Sequence, residues 1–298
     1  MNGVLIINKP RGCTSFDVVS QARRVLLEKR IGHTGTLDPE ASGVLVLCLG
    51  EATKLVPFLQ DSEKEYVATA ELGVSTDTDD AAPSARVIFK ASQTELAGLT
   101  ESAVRATLMA QTGHTLQTPP LYSALKQDGK RLCDRARQAQ TEAERDAVAK
   151  NAAAKARPVN IYEIEVRTID LALPKPTVTF WVRCGKGTYI RAIARDLGDK
   201  LSVGAHLQSL TRTRVGVFSL EQARSLSEIT PGDVLSVHEV AAQFPNISVS
   251  QEVAKRLRQG HRETVASIHF PVENTCAIFD EQRHLVAIRT PQNQIRTF

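Results

Sequence analysis

One carboxylate stands out among the groups that could do chemistry. Asp38 lies in the run Gly32-His33-Thr34-Gly35-Thr36-Leu37-Asp38-Pro39-Glu40-Ala41-Ser42-Gly43. The glycines open backbone angles closed to other residues, and Pro39 fixes the angle directly after the acid, so the loop can hold Asp38 in one pose. A carboxylate held in this way can serve as a nucleophile or as a general base. Asp before Pro is also an ordinary turn initiator, and the loop by itself leaves both readings open. Glycoside cleavage by a carboxylate pair would need a second acid close by; Glu40 is the only near candidate, and its spacing offers nothing specific.

Three further segments accompany the loop: Asn8-Lys9-Pro10-Arg11-Gly12-Cys13-Thr14-Ser15, Pro119-Pro120-Leu121-Tyr122-Ser123-Ala124-Leu125-Lys126 and Gly185-Lys186-Gly187-Thr188-Tyr189-Ile190-Arg191. In this order the four resemble the TruB-type pseudouridine synthases, which isomerise a uridine in the T-arm of transfer RNA. The resemblance runs from about Gly3 to about Ala223 and is weaker beyond. It implies that Asp38 is the catalytic aspartate, that Tyr66 stacks on the target base, and that Tyr189 and Arg191 belong to the site. It also implies substrate-binding places for Lys9, in K-P-x-G-x-T-S, for His33, filling the gap left by the flipped base, for Leu210, an apolar wall of the uracil pocket, and for Arg212. Without the resemblance, Tyr66 and Tyr189 read as core aromatics and His33 as a hydrogen-bonding loop residue.

The implied reaction breaks the bond from ribose to N1 of uracil, turns the base and joins ribose to C5. It involves no redox change and no energy input, so no cofactor and no metal are expected. Asp38 must be ionised, and Arg191 is the expected source of the positive charge that lowers its pKa. The target base must be extruded and held between flat or apolar surfaces. Stacking on Tyr66, worth about 1–3 kcal/mol, offsets much of that cost, and Tyr189 can take the proton that leaves C5.

Ordered elements must position these groups. Val4 to Asn8 reads as a strand, Thr14 or Ser15 as the cap of a helix with Val18, Val19, Ala22, Val25 and Leu26 on one face, and Val44 to Leu49 as a buried strand. Tyr66, Ala68, Ala70 and Leu72 alternate as a strand should. Gly73 to Ser84, with Asp77, Asp79 and Asp80, is an acidic loop lacking the glycine turn and bidentate Glu of a calcium site. Val104 to Met109 lies in a helix ending at Gly113. Arg131 to Ala156, alanine-rich and charged, predicts a largely exposed helix stopped at Arg157-Pro158; it is longer than the family's usual connection, and Cys133 stands where the family has an aromatic. Val159 to Thr168 and Thr177 to Cys184 are strands, and Tyr189 to Leu201 is helical, which sets Tyr189 and Arg191 at a strand-to-helix junction. Past Thr230-Pro231-Gly232 come a short helix, Gln251 to Gln259, and a strand pair, Ala277 to Asp280 and Leu285 to Arg289.

The fold class expected is α+β. Residues 1–230 form a catalytic domain with a mixed, mainly antiparallel sheet and flanking helices, the pseudouridine synthase fold, and residues 231–298 a small β-rich, PUA-like RNA-binding domain docked onto it. The chain has 298 residues and a formal net charge of +4, but Arg183, Lys186, Arg191, Arg195, Lys200, Arg212 and Arg214 face only Asp196 and Asp199, the footprint of phosphate contact. The five cysteines are scattered and match neither a metal site nor a disulfide framework; Cys48 and Cys184 read as buried thiols. Asn8-Lys9-Pro10 interrupts the only apolar run near the start, which argues against a signal peptide. The expectation is a cytoplasmic, monomeric enzyme acting on the T-arm of tRNA with no membrane and no obligatory protein partner. The same motifs also occur in catalytic subunits of guide-RNA-dependent pseudouridylation particles, and a tRNA-folding protein with secondary catalysis is the remaining alternative.

Overall fold

A computed structural model describes every residue except 124, 128, 140, 142–143, 145–146, 149–153, 262–263, 265–267, 269, 271–274 and 290–294. The chain divides into two compact units, one of Met1–Pro39, Gly43–Ser62 and Arg214–Phe298, the other of Glu40–Ser42 and Glu63–Thr213.

In the first unit the Gly3–Lys9 strand pairs antiparallel with Ala41–Leu49 and parallel with Arg224–Ser225, so the sheet is mixed. Val4 to Ile7 and Val44 to Leu49 are buried, as continuous apolar runs require of strands covered on both faces. The short Ile31–His33 strand pairs with Ala41–Leu49, which brackets the Asp38 loop between two paired strands. Thr14 caps the Ser15–Leu26 helix: its hydroxyl accepts from the Asp17 N–H at 3.1 Å while the Asp17 carboxylate accepts from the Thr14 N–H at 2.8 Å. Val18, Val19, Ala22 and Leu26 are buried as expected, whereas Val25 stays exposed in the last turn before Leu27, which is left-handed.

The C-terminal strands Asn246–Val249, Cys276–Asp280, Leu285–Arg289 and Ile295–Thr297 form a second sheet of this unit in that order. Along Cys276–Asp280 alternate residues face opposite ways. Ala277 and Phe279 join Val4, Ile6, Val46 and Phe218 in one core, while Ile278 packs with Ala254 and Leu257 of the Gln251–Arg258 helix. A segment this short thus obtains much of its core from the rest of its unit.

In the second unit the order is Ala205–Val215, Lys64–Leu72, Thr177–Cys184, Arg157–Asp170, Gly113–Gln117. Lys64–Leu72 and Thr177–Cys184 are antiparallel with Tyr66 opposite Val182, and Arg157 stands opposite Gln117. The Glu101–Met109 and Ile190–Lys200 helices pack together through buried faces that include Val104, Leu108, Ile193 and Leu197. The helix expected to reach Gly113 stops at Met109, because Gly113 adopts φ +108° and opens the next strand. Arg157-Pro158 begins a strand that runs on to Asp170. Of the long exposed helix expected over Arg131 to Ala156, the structure describes Leu132–Gln138, where Leu132 and Ala136 are buried; much of the remainder lies outside the described residues.

Cys48 and Cys184 are buried free thiols, and burial pushes them up to about 12 and about 11 respectively. Among the described residues no helix is long and apolar enough to cross a membrane.

Candidate active site

The Asp38 loop is held on both sides of the acid. Ser15, the first residue of its helix, accepts the Leu37 N–H at 2.9 Å and donates its hydroxyl to the Leu37 carbonyl at 3.0 Å. On the other side, the Pro39 carbonyl accepts from the Gly12 N–H at 2.9 Å and from Lys9 Nζ at 3.2 Å. Gly12 has φ +82°, an angle open to glycine at little cost. Lys9 also donates to the carbonyls of Pro10 at 2.8 Å and Cys13 at 2.6 Å and is 0% exposed. The K-P-x-G-x-T-S segment is therefore the mount of the carboxylate loop. Lys9, expected among substrate-binding residues, has its ammonium within a cage of main-chain carbonyls. His33 is half-buried opposite Leu47.

The other expected site residues belong to the second unit. Tyr66 is buried on Lys64–Leu72, and Leu210 and Arg212 are buried two residues apart on Ala205–Val215, the strand beside it. The Leu210 carbonyl accepts from the Ser42 hydroxyl at 3.5 Å. Tyr189 is the N-cap of the Ile190–Lys200 helix, and its main chain is gripped by Gln117, which accepts its N–H at 2.8 Å and donates to its carbonyl at 3.1 Å. The Arg157 guanidinium carbon lies 5.3 Å from the centre of the Tyr189 ring. No motif points to Gln117 or Arg157.

Arg191 is 5% exposed and donates to the carbonyls of Thr78 at 2.8 Å and Tyr122 at 3.1 Å, with Asp80 at 3.8 Å from its Nε. One turn on, Arg195 reaches Asp79 at 3.0 Å, Asp196 at 2.8 Å and the Thr118 carbonyl at 2.9 Å. Two arginines of one helix thus fasten both the acidic loop and the segment after Gln117. Burial pushes the Asp79 carboxyl up to about 6, against the pull of Arg195 and Arg191. Asp77 accepts from the main chain and guanidinium of Arg86. These carboxylates are pieces of local architecture, bound by arginines.

The same pairings revise the basic stretch. Arg191 and Arg212 are buried, Arg195 is ion-paired, and Arg183 pairs with Glu63 at 2.9 Å and Glu163 at 3.5 Å. Lys186, Lys200 and Arg214 are the exposed members.

Residues 23–190 match the family model described as TruB family pseudouridylate synthase, N-terminal domain, and residues 191–242 match that of the tRNA pseudouridylate synthase B C-terminal domain. The chain is 41% identical over 275 residues to a tRNA pseudouridine synthase B of Burkholderia lata, covering 90% of this chain and 79% of that one. It is 37% identical over 300 residues to one of Dehalococcoides mccartyi, covering 98% and 93%. Among solved structures it is similar to a chain of a Cbf5-Nop10-Gar1 complex, with a TM-score of 0.67 and 24% identity over 97% of this chain and 78% of that one. A chain of an H/ACA RNP bound to a substrate RNA containing 2'-deoxyuridine gives 0.65 and 22% over 97% and 77%. At these identities the structural likeness is one of fold.

Proposed function

Since the chain belongs to the TruB family of pseudouridylate synthases, we propose that it isomerises a uridine in the T-loop of transfer RNA to pseudouridine, with Asp38 as the catalytic carboxylate. The observation that carries this reading is the mount of Asp38: Leu37 and Pro39, the residues on either side, are both fixed by the segment from Lys9 to Ser15. Orientation of a reacting group is worth many orders of magnitude in rate, and a plain surface turn has no need of such bracing. In the reaction the C1'–N1 bond breaks, a C1'–C5 bond forms, C5 loses its proton and N1 gains one, so substrate and product are isomers. Asp38 acts as nucleophile or as base. Tyr66 stacks on the extruded base, Leu210 walls the uracil, Tyr189 takes the C5 proton, and His33 and Arg212 contact the RNA.

The chain works in the cytoplasm, as a monomer, without cofactor, metal or guide RNA. The relatives named for tRNA are 37–41% identical, while the particle subunits share 22–24% and speak for the fold alone. Incubating the pure protein with an unmodified tRNA transcript, in the presence of a chelator and with no other RNA, should convert the T-loop uridine. Turnover that appeared only with added guide RNA and protein partners would replace this reading with the particle one.

A further inference from the structure

We infer that Gln117 and Arg157 are positioning residues for Tyr189, one setting its main chain and the other its ring. The inference rests on the role proposed above for Tyr189. Gln117 ends the Gly113–Gln117 strand and is 3% exposed. Its Oε1 accepts from the Tyr189 N–H at 2.8 Å and its Nε2 donates to the Tyr189 carbonyl at 3.1 Å. A side-chain amide presents an acceptor and a donor side by side, so it can imitate a neighbouring strand; the flipped amide would set donor against donor and acceptor against acceptor. Tyr189 has extended angles, φ −99° and ψ 115°, and its side chain makes no capping bond to its own helix. The phenol therefore leaves the helix start from a backbone whose two polar groups are both held by one buried residue.

Arg157 stands directly opposite Gln117 across the strand pair. Its Nη2 donates to the Gly187 carbonyl at 2.8 Å, and its guanidinium carbon lies 5.3 Å from the centre of the Tyr189 ring, within reach of a cation–π contact. A Cβ at Gly187 would sit 3.1 Å from that Nη2, and Gly187 has φ +82°, so glycine is what lets the guanidinium come so near. Arg195 fastens the next residue, Thr118, through its carbonyl. Adjacent partners on two paired strands thus hold one tyrosine from its backbone and from its ring.

The test measures single-turnover rate and apparent KM on a tRNA transcript, with melting curves recorded for every variant. Gln117→Leu should slow the rate about 10- to 100-fold, the scale of a small misplacement, and change KM by less than about threefold. Gln117→Glu separates positioning from plain support. An uncharged glutamic acid reforms both bonds, whereas an ionised one sets a carboxylate against the Tyr189 carbonyl. Its rate relative to wild type should therefore rise at least about tenfold as pH falls from about 8.5 to about 5.5. Arg157→Met should lower the rate with KM held, and a wild-type rate would overturn the part given to Arg157. A Gln117→Glu ratio that stays flat with pH, while Tyr189→Phe is slow, would overturn the inference and leave the proposed function standing. A Tyr189→Phe variant as fast as wild type would remove the role of Tyr189 and the inference with it.

Discussion

Replacing Lys9 with methionine tests the mount of the Asp38 loop in isolation, because methionine keeps the unbranched apolar stem and removes only the charge. The ammonium donates to Pro10, Cys13 and Pro39 at 2.8, 2.6 and 3.2 Å from a fully buried position. Hydrogen bonds to charged groups are worth about 1.5–3 kcal/mol each, which puts the gross loss at roughly 5–9 kcal/mol. Against this, the variant no longer keeps an ammonium away from water, a cost of several kcal/mol in the wild type. The net should be a loss of about 2–4 kcal/mol, or about 3–6 °C in melting temperature for a chain of this size. Circular dichroism melting read beside single-turnover kinetics, at a temperature where both proteins are folded, separates the two consequences. The rate should fall at least about tenfold, because Pro39 loses one of its two anchors. A Lys9→Met protein melting within about 1 °C of wild type would show that the carbonyls do not depend on the ammonium, and the clamp would be wrong.

Asp38→Asn should abolish pseudouridine formation and leave RNA affinity within about threefold, since the amide keeps the shape and loses the reactive oxygen; substantial turnover, measured on the same transcript, would sink the assignment. Asp79 titrates at about 6 in the fold instead of the ordinary 3.8, so the folded state binds its proton more tightly than the unfolded chain. Stability from this group is present below about pH 4 and is lost as pH rises through about 6, by up to about 3 kcal/mol. Asp79→Asn should erase that component, seen as a wild-type-minus-variant difference in unfolding free energy that falls between about pH 4 and about pH 6; a flat difference would refute it. Lys200→Ala should reduce the slope of log affinity against log salt by about 1, while Arg195→Gln should leave the slope alone and lower the melting temperature, and the reverse pattern would restore the basic stretch as a phosphate strip.

What was legible in the sequence was local. A cap at Thr14 or Ser15 could be read ahead of the apolar face that follows, though only the structure gives it to Thr14, and the alternation of Tyr66, Ala68, Ala70 and Leu72 is carried by a period of two that any buried strand face must show. The segment from Lys9 to Ser15 could be matched to a motif, but not its purpose, since its partners Leu37 and Pro39 lie 22 and 30 residues away from Ser15 and Lys9. Asp79 looks like a solvent-facing loop acid because nothing near it in sequence reveals Arg195, 116 residues distant. Counting cations overstates the basic surface for the same reason: the inner face of the Ile190–Lys200 helix takes in Arg191 beside Ile190 and Ala192. Gln117 is a single polar residue before Thr118-Pro119-Pro120, with no periodicity to mark it as buried.

The bond from Arg191 to the Tyr122 carbonyl closes a loop of chain spanning 69 residues, and the whole alanine-rich, charged segment from Arg131 to Ala156 lies inside it. Much of that loop is itself ordered: it holds the Leu132–Gln138 helix and the Arg157–Asp170 and Thr177–Cys184 strands. From the first turn of its own helix Arg191 therefore works as a staple, joining Thr78 of the acidic loop to Tyr122. Removal of that one side chain releases two distant segments at once, which ties the order of each to the other.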